Sequence, residues 1–365
     1  MRLIRWLAYA LLTCLLAACA STPNPMRFQL ELDHRLETKR LTWPPETSDE
    51  VPRYFYAGEL IGEPNFTKRE TNTNALATFA ASISGFLFGE APPLLMARPQ
   101  SGMVASDGRI FVTDLGRSGV FVFDEVNGKL AFWERAETYT DFISPVGIVA
   151  GPMGQILVAD AELGLVARLD ATGTPLEPIG KGQLTRPTGL SYDAINKRIY
   201  VTDTPEHTIK MFDEQGQFIG SLGGFGEGTS GLNLPTYLSL RGTRLYATDT
   251  LNARIQIFST RSGQPVGQIG KRGPYIGNMV RPKGVAVDSE HNIYVVESNH
   301  DYLLIYNQLG EFLMAIGGVG DGPGNFHLPG GVWTDARNRI FVADTLNSRV
   351  SVFQFLGGDG EIPNE

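Results

Sequence analysis

Three arginines occupy equivalent places in a recurring pattern, each directly before a proline. They are Arg98, Arg186 and Arg281. Three other copies of the pattern have Ser144, Leu234 and Leu328 at that place. A guanidinium is a planar fork of N–H donors that binds carboxylate or phosphate through paired hydrogen bonds. We take the three arginines as candidate ligand-binding residues; the alternative is that each pairs with a nearby acid such as Asp114 or Asp203.

Histidines are the second group of side chains that could do chemistry. His300 and His327 are candidate metal ligands, with His207 as a third, since imidazole is a common zinc ligand. The sequence has no His-x-x-x-His pair to support them, and His207 lies two copies of the pattern away from His300. The competing interpretation is that these histidines brace turns.

Cys19 is the third chemical feature, at the end of a short apolar run. Arg2 and Arg5 precede that run, which ends in Leu-Ala-Ala-Cys. This arrangement resembles a bacterial lipobox, which implies cleavage before Cys19 and attachment of lipid to its thiol. Because Ala20 follows, the resemblance implies sorting to the outer membrane of a Gram-negative bacterium, with a periplasmic or surface location. The alternative is an ordinary cleavage site with an incidental cysteine.

Composition excludes several functions. The formal net charge is −8 and no block of basic residues occurs, so nucleic acid is an unlikely partner. The only cysteines are Cys14 and Cys19, so cleavage and lipidation would leave no disulfide. No Cys-x-x-Cys-His haem motif is present, and we expect no cofactor.

The recurring pattern sets the fold. Each copy has x-Pro, a small apolar run, a turn, an apolar run ending in an acid, another turn and two further alternating runs. The acids are Asp114, Asp160, Asp203, Asp249, Glu297 and Asp344, separated by 46, 43, 46, 48 and 47 residues. A period in the forties with four short strands per copy is typical of a β-propeller blade.

The copies at 186–226 and 281–326 carry a family resemblance. The motif resembles the NHL repeat, and the resemblance covers roughly residues 98–355. It implies an all-β, NHL-like six-bladed propeller. The last copy supplies three strands only, and an open sheet edge is a liability. We predict that an alternating run at 52–62 closes the ring by completing the C-terminal blade.

The rest of the chain divides around this ring. We predict a signal peptide at 1–18, a lipidated tether at 19–50, the closing strand within 51–65 and the propeller at 98–356. A polar tail follows at 357–365. Residues 66–97 form an insertion whose apolar run at 74–90 favours a helix, able to cap the channel, bind a partner or pack on the ring.

Strand order predicts that the x-Pro segments and the turns between second and third strands share one face.

The innermost runs, at 102–105, 147–150, 189–192, 237–240, 284–287 and 331–334, have few polar side chains. Metal-dependent propeller enzymes place acids, Asn or His there. We therefore expect a lipid-anchored binding or scaffold module for a protein, peptide or glycan in the cell envelope. The alternative is a lyase or lactonase resembling NHL-like amidating lyases or gluconolactonases.

Overall fold

The computed structural model describes residues 28–30, 32, 41–68 and 92–357. Their main feature is six antiparallel sheets, each of four or more strands, which follow one another along the chain. Blade 1 consists of Pro99–Val104, Ile110–Asp114, Gly119–Asp124 and Lys129–Trp133. Blade 2 consists of Pro145–Ala150, Ile156–Asp160, Leu165–Leu169 and Pro175–Ile179. Blade 3 consists of Pro187–Asp193, Arg198–Asp203, Thr208–Asp213 and Phe218–Gly223.

The remaining three sheets repeat this order. Blade 4 consists of Pro235–Arg241, Arg244–Asp249, Arg254–Ser259 and Pro265–Ile269. Blade 5 consists of Pro282–Val287, Ile293–Glu297, Tyr302–Tyr306 and Phe312–Gly317. Blade 6 consists of Val332–Thr334, Arg339–Asp344, Arg349–Phe355, Tyr54–Leu60 and Thr42–Trp43. The architecture is a six-bladed β-propeller, as the repeat predicts.

Short elements join or flank the blades. Two small antiparallel pairs are Phe28–Leu30 with Phe66–Lys68, and Arg135–Glu137 with Thr140–Asp141. Single 3-10 turns occur at Glu63–Asn65, Pro152–Gly154, Thr204–Glu206, Thr250–Asn252 and Thr345–Asn347. The helix predicted at 74–90, the signal peptide at 1–18 and the tail beyond 357 lie outside the described residues.

The core lies between neighbouring blades, because each sheet is apolar on both faces. Six buried clusters fill the six interfaces. In the one between blades 6 and 1, Ile110 and Phe121 pack with Phe341 and Val350, all fully buried. Each blade therefore depends on its neighbours for burial of apolar surface.

Tyr54–Leu60 closes the ring, as predicted. It pairs antiparallel with Arg349–Phe355, with Leu60 opposite Val350 and Tyr54 opposite Phe355. Thr42–Trp43 adds a fifth strand to this blade, although the sequence places residues 41–50 in the tether. The indole of Trp43 packs edge-on against Phe353, with ring centroids 5.5 Å apart, which explains why this segment adheres to the ring.

Strand direction defines two faces of the ring. First strands run away from the face that carries the x-Pro segments, and second strands return to it. We call this face the upper face and the opposite one the lower face. The turns between second and third strands lie on the upper face, and those between first and second strands lie on the lower face.

Candidate functional site

The six repeat acids hold the upper face together. All are almost fully buried. In blades 1 to 5 the carboxylate accepts a backbone N–H from one of the two residues that precede the repeat proline. In blade 1, for example, Asp114 Oδ1 accepts the N–H of Arg98 at 3.0 Å. In blade 6, Asp344 accepts His327 N–H in the same way. These acids therefore latch the segment entering each blade to the end of its second strand.

This latch corrects the alternative that the arginine side chains pair with the repeat acids. Asp114, Asp203 and Glu297 bind the backbone of Arg98, Arg186 and Arg281, leaving the guanidinium groups outside. Arg186 pairs instead with Glu162, at 3.4 Å between partly exposed groups. Arg98 and Arg281 are exposed, and neither guanidinium has an ion pair with another residue of the described chain.

Lys283 joins Arg98 and Arg281 at the channel mouth. It directly follows Pro282 at the start of the innermost strand of blade 5. Burial lowers the pKa of Lys283, and the positive charges of Arg281 and Arg98 lower it further. Lys283 therefore lies close enough to Arg98 and Arg281 for both positive charges to disfavour its protonated form.

Blade 6 contributes no side chain between these cations. At the position of Lys283, the other blades carry Gln100, Val146, Thr188, Thr236 and Gly330. Gly330 belongs to blade 6, which stands between blades 5 and 1, and it is buried. A Cβ on Gly330 would lie 3.1 Å from both the Gln100 carbonyl oxygen and Thr345 Oγ1, so the backbone packs closely there.

Tyr237 forms the floor of the mouth. Its hydroxyl donates to the carbonyl oxygen of Gln100 at 3.1 Å. Tyr237 belongs to blade 4 and Gln100 to blade 1, which lie opposite each other in a ring of six. The side chain therefore crosses the axis. Burial raises the pKa of this hydroxyl, so it remains a protonated donor.

The histidines have local partners. His300 Nδ1 lies 2.9 Å from Glu297 Oε2, and His207 Nδ1 accepts the N–H of Leu234 at 3.1 Å. The backbone N–H of His327 donates to Asp344. Within the described residues, no three His, Cys, Asp or Glu side chains are arranged to hold a metal ion. The structure does not supply His300 and His327 with the further ligands that a zinc site needs.

Exposed apolar side chains line part of the upper face. Phe225 and Val319 occupy equivalent places in the connections into blades 4 and 6 and are about three-quarters exposed. Leu328 and Leu346, both at the upper end of blade 6, are also exposed. The cationic mouth is therefore bordered by apolar surface.

The sequence singles out Arg98 and Arg281 as candidate ligand-binding residues, but it does not single out Lys283 or Tyr237. The only signal was their departure from the pattern: Tyr237 replaces a repeat glycine, and Lys283 is the one charged residue directly after the repeat prolines. Cys19 lies outside the described residues. None of the helical turns in the described part of the chain is long or apolar enough to cross a membrane.

Comparisons with known proteins agree with the architecture. A family model described as DUF5128, 6-bladed beta-propeller, matches residues 286–361. Protein brain tumor of Drosophila melanogaster is 31% identical to this chain over 140 residues, or 38% of this chain. The match spans only 13% of that curated relative.

Solved structures show the same fold. A catalytically inactive variant of virginiamycin B lyase from Staphylococcus aureus, with quinupristin, superposes with a TM-score of 0.51 at 15% identity, covering 71% of this chain and 95% of that one. An auxiliary nutrient binding protein from Bacteroides thetaiotaomicron superposes with a TM-score of 0.57 at 13% identity, covering 71% and 69%. At such low identity the likeness concerns the β-propeller fold alone. In this chain that propeller has six blades and is closed by an N-terminal strand.

Proposed function

We propose that this protein is a lipid-anchored binding module of the cell envelope, and that the upper-face mouth recognises an anionic group of a protein, peptide or glycan. The observation that carries the proposal is that Lys283 is partly buried and lies near enough to the exposed Arg98 and Arg281 for both charges to act on it. A partly buried lysine beside two arginines is electrostatically unfavourable when empty. An anion placed among them would relieve that repulsion.

The mouth suits a carboxylate, phosphate or sulfate group. Arg98 and Arg281 precede the first strands of blades 1 and 5, on either side of blade 6, and both are exposed, so each can present two donors to an anion, while Lys283 adds a compact charge. Leu328 and Leu346 would contact apolar parts of the same partner. Of the sequence-based candidates, Arg98 and Arg281 enter this proposal, whereas Arg186 pairs with Glu162.

The fold does not decide between binding and catalysis, because the structural neighbours include a lyase and a nutrient binding protein. The choice rests on the chemistry at the mouth. Three cations bind an anion readily, whereas the adjacent carboxylates, Asp114 and Glu297, are buried and already accept backbone N–H groups.

The experiment is capture of partners from native envelope extract by chemical crosslinking. Three proteins are compared: the parent, the double variant Arg98→Gln/Arg281→Gln and the control Arg186→Gln. We expect the double variant to lose most of the partner and the control to retain it, with recovery falling as salt rises. Equal recovery of the partner by all three proteins would show that Arg98 and Arg281 do not bind it.

The second part of the proposal concerns the location of the protein, and it rests on Cys19. The positively charged start, the apolar run and Leu-Ala-Ala before Cys19 support lipidation there, and Ala20 directly after it supports location at the outer membrane. Growth with a labelled fatty acid should label the parent protein. Cys19→Ala should abolish labelling and release the protein from the membrane fraction; a labelled Cys19→Ala protein would contradict the assignment.

One observation favours the alternative, a propeller enzyme. An amine with a lowered pKa, as at Lys283, could act as a base or nucleophile in a lyase or hydrolase. Turnover of a cyclic peptide ester or a lactone by the parent, lost in Lys283→Arg with binding retained, would establish that alternative.

A further inference from the structure

The axial channel has an unusual residue at a place where the repeat needs glycine. In blades 2, 3, 5 and 6 the residue two positions after the repeat proline is a glycine: Gly147, Gly189, Gly284 and Gly331. These glycines approach the next blade closely: a Cβ on Gly147 would lie 2.2 Å from the Thr188 carbonyl oxygen. Blade 1 has Ser101, and blade 4 has the large side chain of Tyr237.

Tyr237 divides the channel into two compartments. Its hydroxyl reaches Gln100 on the far side of the axis, and its ring packs with Val146 of blade 2 and Val285 of blade 5. Contacts with blades on three sides fix the ring at this level. The cationic mouth lies above it.

A cavity of about 340 Å³ lies below Tyr237. All six innermost strands contribute to its wall, from the level of Tyr237 down to Arg241, Val104 and Thr334 at the lower ends. None of the six residues that directly follow the repeat prolines lines it. The cavity therefore has a closed end at Tyr237 and opens on the lower face.

The wall differs chemically from the mouth above. Met103 and Trp333 add a small apolar area, since most of each side chain is buried between blades, and Ser191 and Ser239, on adjacent blades at one level, provide hydroxyls. Among the described residues that line the cavity, only Arg241, at the outer end, is charged, and it is exposed. The volume is at the low end of the range for small-molecule sites.

We propose that the lower axial cavity is a second binding site, independent of the upper mouth, for a small uncharged molecule with an apolar face and a hydroxyl group. The apolar face packs on Met103 and Trp333, and the hydroxyl exchanges hydrogen bonds with Ser191 and Ser239. Tyr237 sets the depth to which the molecule enters and keeps the two compartments separate.

Ligand-detected NMR with benzyl alcohol as the probe tests this site on the full chain. Benzylamine, of similar shape but positively charged, is the matched probe. We expect benzyl alcohol to bind at least tenfold more tightly, because the wall has no carboxylate and Arg241 repels a cation. Absence of benzyl alcohol binding, or equal binding of both probes, would overturn the proposal.

Three variants locate the bound probe. Ser239→Leu fills the cavity and should weaken benzyl alcohol binding at least tenfold. Tyr237→Gly restores the repeat glycine, removes the floor and should weaken it similarly, whereas Tyr237→Phe keeps the floor and should leave it unchanged. Unchanged binding in both Ser239→Leu and Tyr237→Gly would overturn the site. Arg98→Gln/Arg281→Gln should bind benzyl alcohol normally, which separates this site from the proposed function.

Discussion

At the scale of single residues, the residues added to the proposed sites by the structure, Lys283 and Tyr237, are departures from the repeat. The residues that follow the repeat most closely, such as Asp114 and Asp203, are buried latches for the backbone. Lys283 and Tyr237 break the pattern and face the channel. The sequence predicted Arg98 and Arg281 because an arginine before proline is visible as a repeated feature. It did not indicate that Lys283 lies near them, because that proximity depends on how blade 6, which has Gly330 at the same position, stands between blades 5 and 1.

Lys283→Met should increase stability while decreasing partner binding. The substitution removes a partly buried cation that Arg98 and Arg281 disfavour, and it keeps the aliphatic chain. We expect a gain of about 0.5–2 kcal/mol in the free energy of unfolding. Urea denaturation measures it, with Lys181→Met as the control, since Lys181 pairs with Glu137 on an exposed edge. A loss of stability in Lys283→Met would show that the ammonium group is structurally paired.

The lowered pKa of Lys283 also predicts a pH dependence of anion binding. Only the protonated amine attracts an anion, so affinity should fall as pH rises through a range below the ordinary lysine pKa of about 10.4. Sulfate is a suitable probe because it does not titrate there, and calorimetry gives its dissociation constant. Lys283→Arg keeps its charge and should bind sulfate equally across that range. An identical pH profile for both proteins would exclude Lys283 from the anion site.

At the scale of secondary-structure elements, the closing strand could be predicted because its alternation and its Ile-Gly ending match a missing fourth strand. The fifth strand, Thr42–Trp43, could not be predicted: two residues in a polar, proline-rich segment give no periodicity. It is held by the pairing of Thr42 with Phe55 and by the contact of Trp43 with Phe353. Such a strand forms only after the ring has placed its partners.

The closing strand is buried over most of its length, whereas the fourth strand of blade 4 is buried only at its end. Leu60 and its counterpart Ile269 are both buried between blades, but Val266 is 55% exposed. We expect Leu60→Ala to lower the free energy of unfolding by about 2–5 kcal/mol. The control change Val266→Ala, at an exposed position, should alter it by less than about 0.5 kcal/mol. Similar values in urea denaturation would mean that closure at Leu60 contributes little to stability.

At the scale of the whole molecule, the ring is closed by strand pairing between segments that are distant in the chain. Arg349 reinforces this seam: it donates to Asp344 at 2.8 Å and to Glu59 of the closing strand at 3.0 Å, and all three are buried. Removing one partner leaves an uncompensated buried charge, which is strongly destabilising. The N-terminal segment is therefore part of the propeller and also connects it to the lipid proposed at Cys19.

Two shortened chains test this dependence on the seam. A chain beginning at residue 66 lacks Tyr54–Leu60, which exposes the edge of Arg349–Phe355 and leaves Arg349 without Glu59. We expect it to aggregate or to pair edge to edge with a second copy. A chain beginning at residue 51 loses only Thr42–Trp43 from blade 6 and should remain a folded monomer. Size-exclusion chromatography with light scattering distinguishes these outcomes. A monomeric, cooperatively unfolding chain from residue 66 would show that five complete blades and a three-stranded sixth suffice.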